Sequence, residues 1–179
     1  LLDIGCGTGM VAQLAAMLGV EGAGRDAAQA ALVSARERVP NGDFRCGAME
    51  ALPFPDASFD VVTAFNSVQF AQDTVNALRQ ARRVARSGGY VAVVVWGRVE
   101  DCEFVATLDA VRACLPPAPV GAIKTFALSE PGKLDAVMRE AGLAPCASGD
   151  VSCPFEYADD DMAWKTINSS GPLYAAVQA

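Results

Sequence analysis

Leu1-Leu2-Asp3-Ile4-Gly5-Cys6-Gly7-Thr8-Gly9 decides the fold class of this 179-residue chain. An apolar strand running into Gly-x-Gly-x-Gly must turn sharply, and the missing Cβ atoms let a ligand approach the backbone closely. A helix-period run from about Met10 to Leu18 follows, so free N–H groups at its start face the same spot. Dinucleotide-binding turns share this plan but read G-x-G-x-x-G or A; counted from Gly5 and Gly7, the third place is Met10, and Gly9 comes one residue early. The carboxylate of Asp3, expected at the mouth of the turn, repels a pyrophosphate and favours a cationic ligand. Both details weigh against an NAD-dependent oxidoreductase.

Val20-Glu21-Gly22-Ala23-Gly24-Arg25-Asp26 reads as a short second strand ending in an acid. Asp26 is placed to accept hydrogen bonds from the ribose hydroxyls of a nucleoside lying across the sheet. It also precedes the helical run Ala27 to Val39, where it can cap the helix; the two roles are compatible. Next come Phe44-Arg45-Cys46-Gly47-Ala48-Met49-Glu50-Ala51-Leu52-Pro53-Phe54-Pro55-Asp56-Ala57-Ser58-Phe59-Asp60, then a strand over Phe59 to Phe65 leading into Asn66-Ser67-Val68-Gln69-Phe70. A helix from Asp73 to Arg86, a Gly88-Gly89 stop and the apolar strand Tyr90 to Trp96 complete this half. Arg79, Arg82, Arg83 and Arg86 form one helical stripe, which reads as a solvated outer face.

The glycine turn resembles motif I of the class I S-adenosylmethionine-dependent methyltransferases. The Phe44 to Asp60 stretch resembles the small-molecule branch of that family, often labelled type 11 or ubiquinone/menaquinone-like, whose pattern is G-D-A-E-x-L-P-F-x-D-x-S-F-D. The resemblance implies S-adenosylmethionine as cofactor, held by Asp3, Gly5, Cys6, Gly7, Gly9, Asp26, Ala48, Met49 and Asn66. It departs at one place: the family's acid after the glycine, usual partner of the adenine amino group, is Ala48 here. Loss of that hydrogen bond is worth about tenfold in cofactor affinity, while the backbone N–H of Met49 remains able to meet the adenine ring. Adenine-modifying DNA methyltransferases carry Pro-Pro-aromatic after the residue matching Asn66, whereas Ser67 and Val68 stand here. Phe70 and Trp96 are candidates for an apolar acceptor pocket.

Composition narrows the function classes. The net charge of −7 and pI near 4.5 disfavour general affinity for nucleic acid or anionic membranes. Six cysteines without a C-x-x-C pair and the complete absence of histidine argue against a structural metal and for reduced thiols in a cytoplasmic protein. No apolar stretch approaches a membrane span, and no charged-then-apolar leader opens the chain. Without histidine, any general base must be a carboxylate, thiolate, tyrosinate, lysine or the substrate itself; the sequence singles out none.

The fold expected is α/β: a Rossmann-like, mostly parallel sheet with helices on both faces, forming a single methyltransferase domain over residues 1–179. Residues 1–96 form its cofactor-binding half and 97–179 its substrate-side half. After Asp101 the pattern suggests a helix to about Leu115, a loop at Pro116-Pro117-Ala118-Pro119, a helix near Pro131 to Ala141, a sixth strand at Val151 to Tyr157 and a helix from about Asp160. Leu1 lies within the first strand, so a fragment is expected, lacking the family's N-terminal helices and its last, antiparallel strand. The function expected is methyl transfer to a small, largely apolar metabolite by in-line displacement. Three rivals stand beside it: a non-catalytic cofactor-binding module, which Ala48 favours, an NAD-dependent oxidoreductase, and a protein methyltransferase.

Overall fold

A computed structural model describes residues 1–113 and 125–169, with side chains to residue 167. Five strands, β1 (Leu2–Ile4), β2 (Ala23–Asp26), β3 (Asp43–Cys46), β4 (Phe59–Phe65) and β5 (Ala85–Val94), form one sheet in the order β3-β2-β1-β4-β5. Every pairing is parallel. The order reverses between β2 and β4, on either side of β1, and in open α/β sheets ligands bind outside the strand ends at such a switch point. The glycine turn leaves β1 at that point.

Alternation along β1 sorts the two faces. Leu2 and Ile4 point into a cluster with Val62 and Ala64 of β4 and Leu78, Ala81 and Val84 of α3 (Thr74–Val84), all fully buried. Asp3, between them, takes the other face, where Cys6, Ala12 of α1 (Met10–Met17), Leu32 and Ala35 of α2 (Gln29–Arg38) and Phe44 make a second cluster. The helix α3 buries Ala77, Leu78, Ala81 and Val84, a stripe at helical spacing. Asp73 caps it by accepting from the Asn76 N–H at 2.9 Å.

The chain divides into two compact units, Leu1–Trp96 with Ile123–Cys146, and Gly97–Ala122 with Ala147–Ala179. The first regains α5 (Lys133–Glu140), whose Leu134, Val137 and Met138 pack on the α3 core. The second holds α4 (Phe104–Arg112) and α6 (Asp160–Ser169), with Phe104 and Phe155 ring centroids 5.3 Å apart.

Several expectations are corrected. The helix expected over Asp73 to Arg86 stops at Val84, and β5 starts at Ala85 rather than Tyr90. The two glycines make a bulge within this strand instead of a stop before it: pairing jumps from Phe59↔Ala85 to Val61↔Tyr90, with Gly88 at φ +77°. No strand forms at Val151 to Tyr157; that segment has a strand's alternation but no neighbour to pair with among the described residues, and Val151 and Phe155 stay exposed. The arginine stripe is not uniformly solvated, because Arg83 donates to the carbonyls of Leu52 and Phe54, both at 2.8 Å, and pairs with Asp56 at 2.6 Å. The Pro116 to Pro119 loop lies outside the described residues.

Candidate functional site

A cleft of about 600 Å³ opens at the switch point. Four pieces of chain wall it: Gly5 of the turn, Arg25 to Ala27 at the end of β2, Gly47 to Glu50 after β3, and Asn66, Ser67 and Phe70 to Asp73 after β4, with Asn76 of α3. Among the residues singled out from sequence, Gly5, Asp26, Ala48, Met49, Asn66 and Phe70 meet there.

The turn fits its neighbours so closely that its first glycine has no substitute. A Cβ on Gly5, which has φ +71°, would overlap the Ser67 side chain, itself buried and donating through Oγ to the Ile4 carbonyl at 2.7 Å. Gly9 opens α1 as its N-cap residue. Gly7 donates its N–H to Asp26 Oδ2 at 2.8 Å, and the other oxygen of Asp26 accepts from the Ala28 N–H at 2.7 Å. Asp26 thus ties the glycine turn to the start of α2. Each of its oxygens has a lone pair left, so a ribose hydroxyl can still donate to it.

Asp3 lies elsewhere than its expected place at the mouth of the turn. It is 2% exposed and accepts from the Thr63 hydroxyl at 2.7 Å, on the face shared with Cys6. Burial pushes its carboxyl up to about 6; the Thr63 bond works against this shift and the charge of Asp26 with it. Cys6 is buried as well, and burial first, then the charges of Asp26 and Asp3, push its thiol up to about 12. The field beneath the turn is therefore negative and suits a cation.

The opposite wall depends on Arg25, which sequence reasoning missed. Its guanidinium donates to the carbonyls of Cys46, Ala48 and Ala51, holding the loop after β3 in a bow around it. A Cβ on Gly47 would overlap that guanidinium. The only hint in the sequence was a cation in a strand whose other residues are small or acidic. Asn66 occupies the left-handed region at φ +50°, with its N–H donated to the Val94 carbonyl at 2.8 Å. Such a conformation in a non-glycine residue at a strand exit is typical of binding sites.

Trp96 does not join this cleft. Its ring packs at 5.9 Å from that of Phe126, and its carbonyl accepts from Ser129 Oγ at 2.7 Å. Among the described residues no group of acids and cysteines is arranged to hold a metal ion, and no helix is long and apolar enough to cross a membrane.

The family profile described as "Methyltransferase domain" matches residues 2–93, the part that builds the sheet and the cleft. The chain belongs to this methyltransferase family. The chain is 35% identical over 159 residues to 27-O-demethylrifamycin SV methyltransferase of Amycolatopsis mediterranei, covering 85% of this chain and 56% of that protein. It is 28% identical to ubiquinone biosynthesis O-methyltransferase of Ruegeria pomeroyi, covering 95% of this chain and 72% of the relative. Among solved structures, the YcgJ protein from Bacillus subtilis superposes with a TM-score of 0.69 at 25% identity, covering 99% of this chain and 74% of that one. The chain spans about half the length of the first of these relatives.

S-adenosylmethionine is the cofactor of the methyltransferase family, and the cleft has the chemistry to hold it. Gly5 leaves room where a Cβ would collide, Asp26 offers carboxylate lone pairs for hydroxyl donors, and the two acids under the turn favour a positive charge.

Proposed function

We propose that this methyltransferase domain transfers the methyl group of S-adenosylmethionine to a small, largely apolar metabolite, aromatic or polyketide-like, by in-line displacement. One observation carries the reading: residues suited to a nucleoside and a cation (Gly5, Asp26, Met49) share a single cleft with the apolar Phe70 and the amide of Asn66. The named activities of the rifamycin and ubiquinone relatives, both methyltransferases, support the same reaction class. When bound, the cofactor supplies an activated methyl group on a sulfonium.

The work of this chain is alignment. Asp26 holds the nucleoside end, the Gly5 turn admits the amino-acid end, and Asn66 and Phe70 meet the acceptor. Fixing donor and acceptor in line within a water-poor cleft is worth roughly 7 to 11 kcal/mol in well-oriented systems. Because positive charge on sulfur disappears as the methyl leaves, no oxyanion hole is required. The acidic surface supports a small-molecule acceptor over nucleic acid, and the unpaired cysteines among the described residues suit a cytoplasmic enzyme.

The test is a radiolabelled methyl-transfer screen with the protein expressed from its complete reading frame, comparing metabolite extract, tRNA, DNA and a protein lysate. Label is expected in the organic-soluble metabolite fraction. Label mainly in macromolecules sinks the small-molecule reading, and tight cofactor binding with no label anywhere establishes a binding module instead.

A further inference from the structure

We propose that Glu50 reads the 6-amino group of the cofactor's adenine, a task the side chain at position 48 cannot perform. The proposal rests on the cleft being the S-adenosylmethionine site. An amino group entering between the loop after β3 and the loop after β4 needs an acceptor. Ala48 presents only a methyl group, and its carbonyl already accepts from Arg25 Nε at 3.3 Å.

Three carboxylates line the cleft: Asp26, Glu50 and Asp73. Asp26 accepts a backbone N–H on each oxygen, and Asp73, whose Oδ1 caps α3, follows β4 and so lies on a different loop from Ala48. Glu50 stands apart. It lies two residues beyond Ala48 on the same loop, and a single oxygen, Oε1, takes both of its bonds, from the N–H groups of Gln72 at 2.7 Å and Asp73 at 3.3 Å. Its own carbonyl accepts from Asn76 Nδ2 at 3.3 Å. The side chain is thus anchored at one end, while no hydrogen bond or ion pair among the described residues reaches Oε2. A carboxylate fixed through one oxygen is a pre-positioned acceptor through the other, and a base–carboxylate bond formed there costs little additional ordering.

This arrangement permits a reversal of preference that a purely structural role for Glu50 would not produce. In Glu50→Gln the two backbone N–H groups still demand an oxygen, so the amide oxygen keeps the Oε1 place and the NH₂ takes that of Oε2. The acceptor becomes a donor while the anchor is retained.

Calorimetric titration compares S-adenosylhomocysteine with S-inosylhomocysteine, which carries a 6-oxo group in place of the 6-amino group. The wild-type protein is expected to prefer the adenosine compound by about tenfold, and Glu50→Gln to prefer the inosine compound. Adding Ala48→Asp to Glu50→Gln should return the preference to adenosine. Equal wild-type affinities, or a Glu50→Gln protein that binds with the wild-type ratio, overturns the proposal. If Glu50→Gln does not fold, Ala48→Asp alone decides: with Glu50 already serving the amino group, affinity for S-adenosylhomocysteine should stay within about twofold, and a gain near tenfold overturns the proposal. A wild-type protein that binds neither compound removes the cofactor reading itself, a failure distinct from an unchanged ratio.

Discussion

Thr63 and Asp3 are register partners on β4 and β1, and the Thr63 hydroxyl donates to Asp3 Oδ1 at 2.7 Å inside the sheet. This bond satisfies a carboxyl that burial nonetheless holds at about 6, well above its ordinary value of 3.8. Between those two pH values the folded chain keeps a proton that the unfolded chain releases. Folding is therefore favoured at low pH, and this contribution is lost as pH rises through 6. Asp3→Asn keeps the acceptor for Thr63 and removes the charge. It should stabilise the free protein at pH 7.5 by on the order of 2 kcal/mol and change little at pH 4, as read by chemical denaturation at both pH values.

The same charge should matter in the opposite sense for the cofactor. With Asp3 ionised, the sulfonium of S-adenosylmethionine gains an attraction that the neutral sulfide of S-adenosylhomocysteine lacks. The affinity ratio of the two compounds should fall by about fivefold between pH 7.5 and pH 5, and should be flat with pH in Asp3→Asn. Calorimetry across that range provides the check, and a flat wild-type ratio removes Asp3 from cofactor discrimination.

Asp26→Ala deprives the Gly7 and Ala28 N–H groups of their acceptor together. Cofactor affinity should drop by about 1.5 to 3 kcal/mol, because both the turn's anchor and the ribose partner are lost. A folded Asp26→Ala protein that binds as tightly as the parent shows that ribose is held elsewhere.

On the other wall, Gly47→Ala forces a methyl group onto the Arg25 guanidinium at a backbone angle, φ +141°, that an alanine adopts only under strain. Three carbonyls then lose their shared donor. We expect a loss of roughly 2 kcal/mol in stability. Arg25→Ala, combined with Gly47→Ala, should show little further loss, since both changes break the same contact.

Much of the first 96 residues was legible because apolar alternation, caps and glycine spacing are local signals, and they located β1, α1, α3 and the cleft residues Asp26, Met49 and Phe70. What escaped was set by partners remote in sequence. Nothing near Asp3 announces that Thr63 will cover it, and nothing beside Arg25 foretells that the loop after β3 will wrap around its guanidinium. Nothing beside Trp96 foretells that its ring will meet that of Phe126. Val151 to Tyr157 alternates as a strand should, but periodicity gives no account of whether an edge stands beside it. Gly88-Gly89 punctuates the chain whether the result is a stop or a bulge, and pairing with Phe59 and Val61 selects the bulge.

The elevated Cys6 thiol bears on how the protein can be labelled. With its proton held up to about 12, on the order of one Cys6 side chain in 10⁴ to 10⁵ is a thiolate at pH 7.4, and the thiolate is the form that electrophiles attack. Cys46, by contrast, is exposed at the end of β3, one residue before the cleft begins at Gly47. Maleimide reagents should therefore spare the glycine turn and mark Cys46 at the rim along with the exposed Cys146 and Cys153, so that once the other reactive cysteines are replaced Cys46 is an attachment point for a fluorophore that reports occupancy of the neighbouring cleft.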